Sequence, residues 1–162
     1  MITARLATEN DIDRIVEIRN TMSGYYDFNP AFVQYKLDSK DWIVAVCEEN
    51  NKIIGFGFLK IDTSPYQATH FILDSQWNPL IITKKLTAMN AMSLVFLKYA
   101  FKEGTDNKTQ CSFPTGTHLL FKTAFSSFMP WKKVDTKEGN EIWEVTFTDQ
   151  KILEDNLALL KE

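Results

Sequence analysis

Phe71-Ile72-Leu73-Asp74-Ser75-Gln76-Trp77-Asn78-Pro79, continued by a run that sets Leu86, Met89, Met92, Ser93, Phe96, Leu97 and Ala100 ahead of Gly104, decides the fold of this chain. Phe71 to Leu73 read as the end of a strand, and Asp74-Ser75-Gln76-Trp77 breaks it. Asn78-Pro79 then reads as a helix start. The Asn side chain can accept from an unpaired backbone N–H, and Pro at the first helical position lacks a donor that would go unused. Gly104 beyond the last apolar residue is the matching stop. The stretch from Phe71 to Glu103 is therefore strand, tight connection and long buried helix. Such a junction leaves free N–H groups and the positive end of the helix dipole at the connection, where anions bind.

On the N-terminal side, Ile2 to Ala7 alternates as a first strand, with Ile2, Ala4 and Leu6 on one face. Thr8 with Asp11 resembles a capping box, and Ile12, Ile15, Val16 and Ile18 or Arg19 fall at helical spacing, which predicts a helix from Glu9 to about Ser23. Tyr25-Tyr26-Asp27-Phe28-Asn29-Pro30 is an aromatic loop leading into a short helix with Phe32, Val33, Tyr35 and Leu37. Its rings either cover the sheet edge or wall a substrate pocket. Trp42 to Glu48 and Lys52 to Ile61 read as a hairpin around Asn50-Asn51. Gly55 and Gly57 in the second strand mark a bulge or a close approach to the backbone. After a turn at Ser64-Pro65, Gln67 to Leu73 completes a three-strand antiparallel meander.

On the C-terminal side, Lys108 to Phe113 reads as a strand returning parallel to Phe71–Leu73 through a right-handed crossover. Pro114-Thr115-Gly116-Thr117 opens a helix carrying Leu119, Leu120, Phe121, Ala124 and Phe125. Phe128 to Val134 and Asn140 to Thr148 form a closing hairpin. The expected fold class is α+β (α/β/α): one domain over residues 1–150, with a mixed, mostly antiparallel twisted sheet and a central buried helix. Residues 151–162 carry Ile152, Leu153, Leu157 and Leu160 at helical spacing and read as a helical tail.

The chain has 162 residues, 44% hydrophobic and 13% aromatic, enough for one domain with a real core. A net charge of −3 argues against general nucleic-acid or membrane binding, leaving Lys84-Lys85 and Lys132-Lys133 as local basic pairs. Cys47 and Cys111 stand far apart in apolar segments, so buried reduced thiols and a cytoplasmic setting are expected. No secretory signal is expected at Met1. Leu86 to Phe101 is interrupted by Asn90, Ser93 and Lys98 and is too polar to span a bilayer. Two histidines without visibly convergent carboxylates define no metal site.

This order of elements resembles the GNAT superfamily of acyl-CoA-dependent N-acetyltransferases over nearly the whole chain. The opening Ile2-Thr3-Ala4-Arg5-Leu6-Ala7-Thr8-Glu9-Asn10-Asp11 is similar to the family's first strand and capped helix. The hairpin Trp42–Glu48 to Ile53-Ile54-Gly55-Phe56-Gly57-Phe58 is similar to its second and third strands. His118-Leu119-Leu120-Phe121-Lys122-Thr123-Ala124-Phe125-Ser126-Ser127-Phe128 resembles its late helix. The resemblance implies acetyl-CoA as cosubstrate and a small-molecule or peptide amine as acceptor. It also implies a glycine-rich R/Q-x-x-G-x-G/A connection whose amides wrap the CoA pyrophosphate. Here Gln76-Trp77-Asn78-Pro79-Leu80-Ile81-Ile82-Thr83 contains no glycine. Either Gln76, Thr83, Lys84 and Lys85 hold a phosphate through side chains, or no CoA binds and Trp77, Ile81 and Ile82 pack the space.

Acetyl transfer to an amine needs a base, a group that polarises the thioester carbonyl, and an acid for the thiolate. The resemblance gives the polarising role to backbone at Ile72, Leu73 and Asp74, and places Phe121, which has no hydroxyl, where the family often has a tyrosine. The catalytic candidates are then His70, Asp74 and His118. The implied cofactor contacts are Ile72, Leu73, Gln76, Thr83, Lys84, Lys85 and Phe121. A second reading is a catalytically silent domain of the same fold with a protein partner. It draws on the missing glycines, the apolar tail and the aromatic surface candidates Tyr25, Tyr26, Phe28, Trp77 and Trp131. The late helix is also similar to that of a short-tailed-phage virion protein with an acetyltransferase-like fold, which implies a phage origin and a role in assembly.

Overall fold

A computed structural model describes residues 1–21, 28–77, 79–80, 83–102, 105, 107–115, 131–146 and 155. In chain order these form β1 (Ile2–Leu6), a 3-10 turn (Glu9–Asp11), α1 (Ile12–Asn20), α2 (Pro30–Asp38), β2 (Trp42–Glu49), β3 (Lys52–Lys60) and β4 (Tyr66–Leu73). There follow α3 (Thr83–Ala100), β5 (Thr109–Pro114), β6 (Lys132–Lys137) and β7 (Asn140–Val145). Among the described residues the strands build one seven-stranded sheet of order β1-β2-β3-β4-β5-β7-β6. Among the described strands only β4 and β5 pair in parallel.

Period-two alternation divides each central strand between two layers. Ala45 and Cys47 of β2 pack with Ala88, Met92 and Phe96 on the α3 side. Val44 and Val46 pack with Ile12, Ile15, Ile18 and Val33 on the α1/α2 side. The helix α3 is buried almost all round from Leu86 to Leu97. The buried polar residues Asn90 and Ser93 inside that stretch return bonds to the helix: Asn90 donates to the Leu86 carbonyl at 2.9 Å and Ser93 to the Met89 carbonyl at 3.0 Å.

Gly57 marks the close approach that its position in a strand suggests. A Cβ there would lie 2.9 Å from Phe96 Cζ, so only glycine lets the α3 ring rest on the sheet. Asn50 and Asn51 take φ of 53° and 63°, the double left-handed geometry of a tight hairpin turn. Asn29 caps α2 by accepting from the Phe32 N–H at 2.9 Å, and the Asp11 carboxylate accepts from the Thr8 N–H at 2.8 Å.

Several boundaries differ from the sequence expectation. The first helix opens with a 3-10 turn and α1 ends at Asn20. The long helix begins at Thr83 rather than at Asn78-Pro79. The chain ahead of it is pinned where the Trp77 indole packs into the core beside α3, and Pro79 and Leu80 lie outside the helix. Trp131, expected as a surface ring, is 3% exposed and packs with Leu94, Leu97 and Val145, because β6 begins only at Lys132. Trp77 is half-buried rather than displayed. Tyr25, Tyr26, the late helix with its His118 and Phe121, and all of the tail but residue 155 lie outside the described residues. Among the described residues no helix is long and apolar enough to cross a membrane.

Candidate functional site

The parallel strands β4 and β5 meet only at Tyr66–Thr109 and Gln67–Gln110. Gln67 Nε2 donates to Gln110 Oε1 at 3.2 Å and closes this end. Beyond it β4 stays paired to β3 as far as Leu73, and β5 stays paired to β7 as far as Pro114. Each strand thus keeps its outer partner while the inner edges part. The result is a wedge between them, edged by backbone donors and acceptors with no partner across it among the described residues.

A bulge sets the wedge. Phe58 pairs with His70 and Leu59 with Ala68, so Thr69 is the extra residue in β4. After the bulge His70, Ile72 and Asp74 face α1 and α2, while Phe71 and Leu73 face α3. Nothing in Ala68-Thr69-His70 announces an extra residue. Strand pairing over the whole sheet decides it.

At the open end of the wedge the chain turns at Asp74, which is 5% exposed. Its N–H donates to the Ile54 carbonyl at 2.8 Å, and its own carbonyl accepts from the Trp77 N–H at 3.0 Å. Its carboxylate accepts from the Gln76 N–H at 3.0 Å and from Arg14 Nη2 at 2.6 Å. Arg14 is oriented by two further bonds to the Ile53 carbonyl. Burial alone would raise the Asp74 carboxyl, but the Gln76 amide and the Arg14 guanidinium outweigh it and hold it below the usual carboxylate range. This placement suits an anchor for the turn. A carboxylate so held has weak basicity toward a substrate proton.

The same bonds occupy the connection. The amides of Gln76 and Trp77 are directed at Asp74 rather than at a guest. Glu49, at the end of β2, accepts from Lys84 Nζ at 3.0 Å and from Trp77 Nε1 at 3.2 Å. Lys84 first, and then the indole, hold its carboxyl below the usual range. Lys85 is half-buried in the first turn of α3, and Thr83 is that helix's first residue. Arg14 and Glu49 are site residues that sequence reasoning missed. Both reach the connection from distant elements, and no local pattern signals either.

His70 stands beside the closed end of the wedge. Its ring meets Phe28 and Phe58 edge-on at centroid distances of 5.4 and 5.2 Å, and Nδ1 lies 3.0 Å from Thr69 Oγ1. Burial, and then the nearby charges of Arg19 and Lys36, push its pKa down to about 4. The imidazole is therefore neutral at pH 7. The structure brings His70, Ile72, Leu73 and Asp74 together along one edge of the wedge, with Gln76 and Lys84 at its open end.

A parallel pair that splays at a bulge, backed by a buried helix whose N-terminus faces the opening, defines a class of α+β protein built around an intersheet slot. Solved structures of that class match about nine-tenths of the chain. An acetyltransferase of the GNAT family from Bacillus cereus aligns with a TM-score of 0.65 at 15% identity, over 91% of this chain and 96% of that one. A ribosomal-protein-alanine N-acetyltransferase of Brucella melitensis gives 0.64 at 11% identity, over 89% and 99%. The PaiA N-acetyltransferase of Thermoplasma acidophilum, solved in complex with coenzyme A, gives 0.57 at 16% identity, over 91% and 99%. No family model and no curated protein matches the sequence. The chain has the GNAT fold.

Proposed function

We propose that this protein is an acyl-CoA-dependent N-acetyltransferase-like protein with an atypical CoA site. The observation that carries this reading is the wedge between β4 and β5, whose backbone edges, unpaired across it among the described residues, suit an extended, amide-bearing thioester arm. Backbone of Ile72 and Leu73 lines it on one side, where a thioester carbonyl would find an N–H donor. His70 is the candidate base, acting from the α1/α2 side. Its low basicity suits an acceptor amine that arrives already neutral. His118 stays a catalytic candidate on the late helix, and Phe121 a candidate cofactor contact. Neighbours of the same fold, one with coenzyme A bound, support the choice of cosubstrate.

The site is atypical at its open end. The Gln76 and Trp77 amides serve the Asp74 turn, and Glu49 brings negative charge to the place a diphosphate would take. Binding therefore rests on the acyl arm rather than on the phosphates. Isothermal titration tests this. Acetyl-CoA and phosphopantetheine should each give saturable heat, while ADP should give little. Absence of heat with acetyl-CoA at millimolar concentration removes the proposal.

The same self-occupied connection favours a second reading, a catalytically inactive GNAT-fold binding or assembly protein with a protein partner. Binding of neither acetyl-CoA nor phosphopantetheine, together with a stable heteromeric complex, would establish it.

A further inference from the structure

Beyond the wedge, α2, β2, β3 and β4 enclose a cluster of rings that holds a lysine. Lys36 is 9% exposed, and its ammonium sits 3.2 Å from the centroid of Trp42, with the Phe32 and Tyr35 rings at 5.1 and 5.7 Å. Among the described residues no carboxylate lies within ion-pairing distance of it. A buried ammonium is costly unless an anion or strong acceptors meet it, and ring faces compensate only part of that cost. Burial, and then the charge of Lys60, lower its pKa.

The cluster continues to the wedge. Trp42 meets Phe58 edge-on at 6.5 Å, and Phe58 meets His70 at 5.2 Å. Arg19 lies 5.1 Å over Phe28, which itself contacts His70. Both Lys36 and Arg19 act on the imidazole as positive charges. A polyamine or a lysine side chain approaching His70 meets like charge, whereas a ligand with an acidic group meets attraction.

We propose that Lys36 is the anchor for the acidic group, a carboxylate or a phosphate, of a small anionic molecule bound against the partly exposed Trp42 and His70 rings. Binding of the anion stands by itself. Calling the bound molecule the acceptor, an amine that also carries an acid, rests on the acyl-transfer reading given above.

The test is carbon-detected NMR of the His70 ring in the full chain, titrated with β-alanine as the carboxylate probe, phosphoethanolamine as the phosphate probe and putrescine as the cationic control. One or both acidic amines should shift the His70 signal saturably at millimolar concentration, and whichever does so identifies the acid. Putrescine should leave it in place. Lys36→Met, which keeps the apolar stem, should weaken binding at least tenfold, and Lys36→Arg should retain it, each after a thermal melt shows a folded protein. No shift with either acid, equal binding of putrescine, or undiminished binding by K36M overturns the proposal. Acetylation of the bound amine is measured separately with acetyl-CoA. Its absence beside clear binding refutes the transferase reading and leaves the anion site standing.

Discussion

Replacing Asp74 with alanine removes the residue that turns β4 toward α3, and the structure sets the size of the loss. Two bonds to its carboxylate disappear, from Arg14 Nη2 at 2.6 Å and from the Gln76 N–H at 3.0 Å. Hydrogen bonds to charged groups contribute about 1.5–3 kcal/mol each. Arg14 keeps the Ile53 carbonyl and is 20% exposed, so it is not stranded, which places the total at about 2–3 kcal/mol. For a domain of this size each kcal/mol lowers Tm by about 2–4 °C, giving a drop of about 4–12 °C. Urea titration of both proteins across pH checks the cause as well as the size. The folded Asp74 pKa lies below its ordinary 3.8, so its contribution is complete above that value and is lost as pH falls through the folded pKa. The gap between wild type and Asp74→Ala should therefore be constant from neutral pH down to about pH 5 and close below about pH 4. A loss under about 0.5 kcal/mol, the level of ordinary surface substitutions, or a gap that widens in acid, would refute the assignment of Asp74 as an anchor.

Other substitutions probe the rest of the site. Glu49→Gln removes the acid at the open end of the wedge and should tighten acetyl-CoA binding by up to about 1 kcal/mol, roughly fivefold, since the freed Lys84 is partly exposed; titration calorimetry showing weaker binding would count against the proposed seat of the diphosphate. Gly57→Ala forces a methyl group to 2.9 Å from Phe96 Cζ and should cost about 1–3 kcal/mol in urea unfolding, with Phe96→Leu in the same chain recovering part of it. In an NMR pH titration His70 should change protonation near 4 rather than 6.5; stability then falls as pH drops between those two values, because the unfolded chain takes up the proton first, and His70→Gln should lack that slope. Cys47 and Cys111 are buried, and burial pushes both thiols up. Neither should react with a thiol reagent until urea unfolds the protein.

Local chemistry made much of the fold legible. Alternation in Trp42–Glu49, the Asn50-Asn51 turn, Asn29-Pro30 at the start of α2 and Gly57 beneath Phe96 each act through neighbours in sequence or through a steric rule that a single residue type satisfies. The order of these elements was enough to suggest the GNAT fold, which the solved neighbours bear out. Asn78-Pro79 misled about the start of α3. Its local signal for a helix was outweighed by the seating of the Trp77 indole in the core.

The sequence by itself determined the strands, the buried helix and the absence of glycine from the connection, because each follows from side-chain size, branching and polarity taken a few residues at a time. Only the tertiary structure decided that Thr69 bulges, that Arg14 and Asp74 lock the turn, that Glu49 claims Lys84, and that Lys36 lies among rings with no carboxylate of the described residues beside it. Those outcomes depend on which distant charges and edges the closed sheet brings within bonding reach. Distance in space, unlike periodicity, is not written in the order of residues.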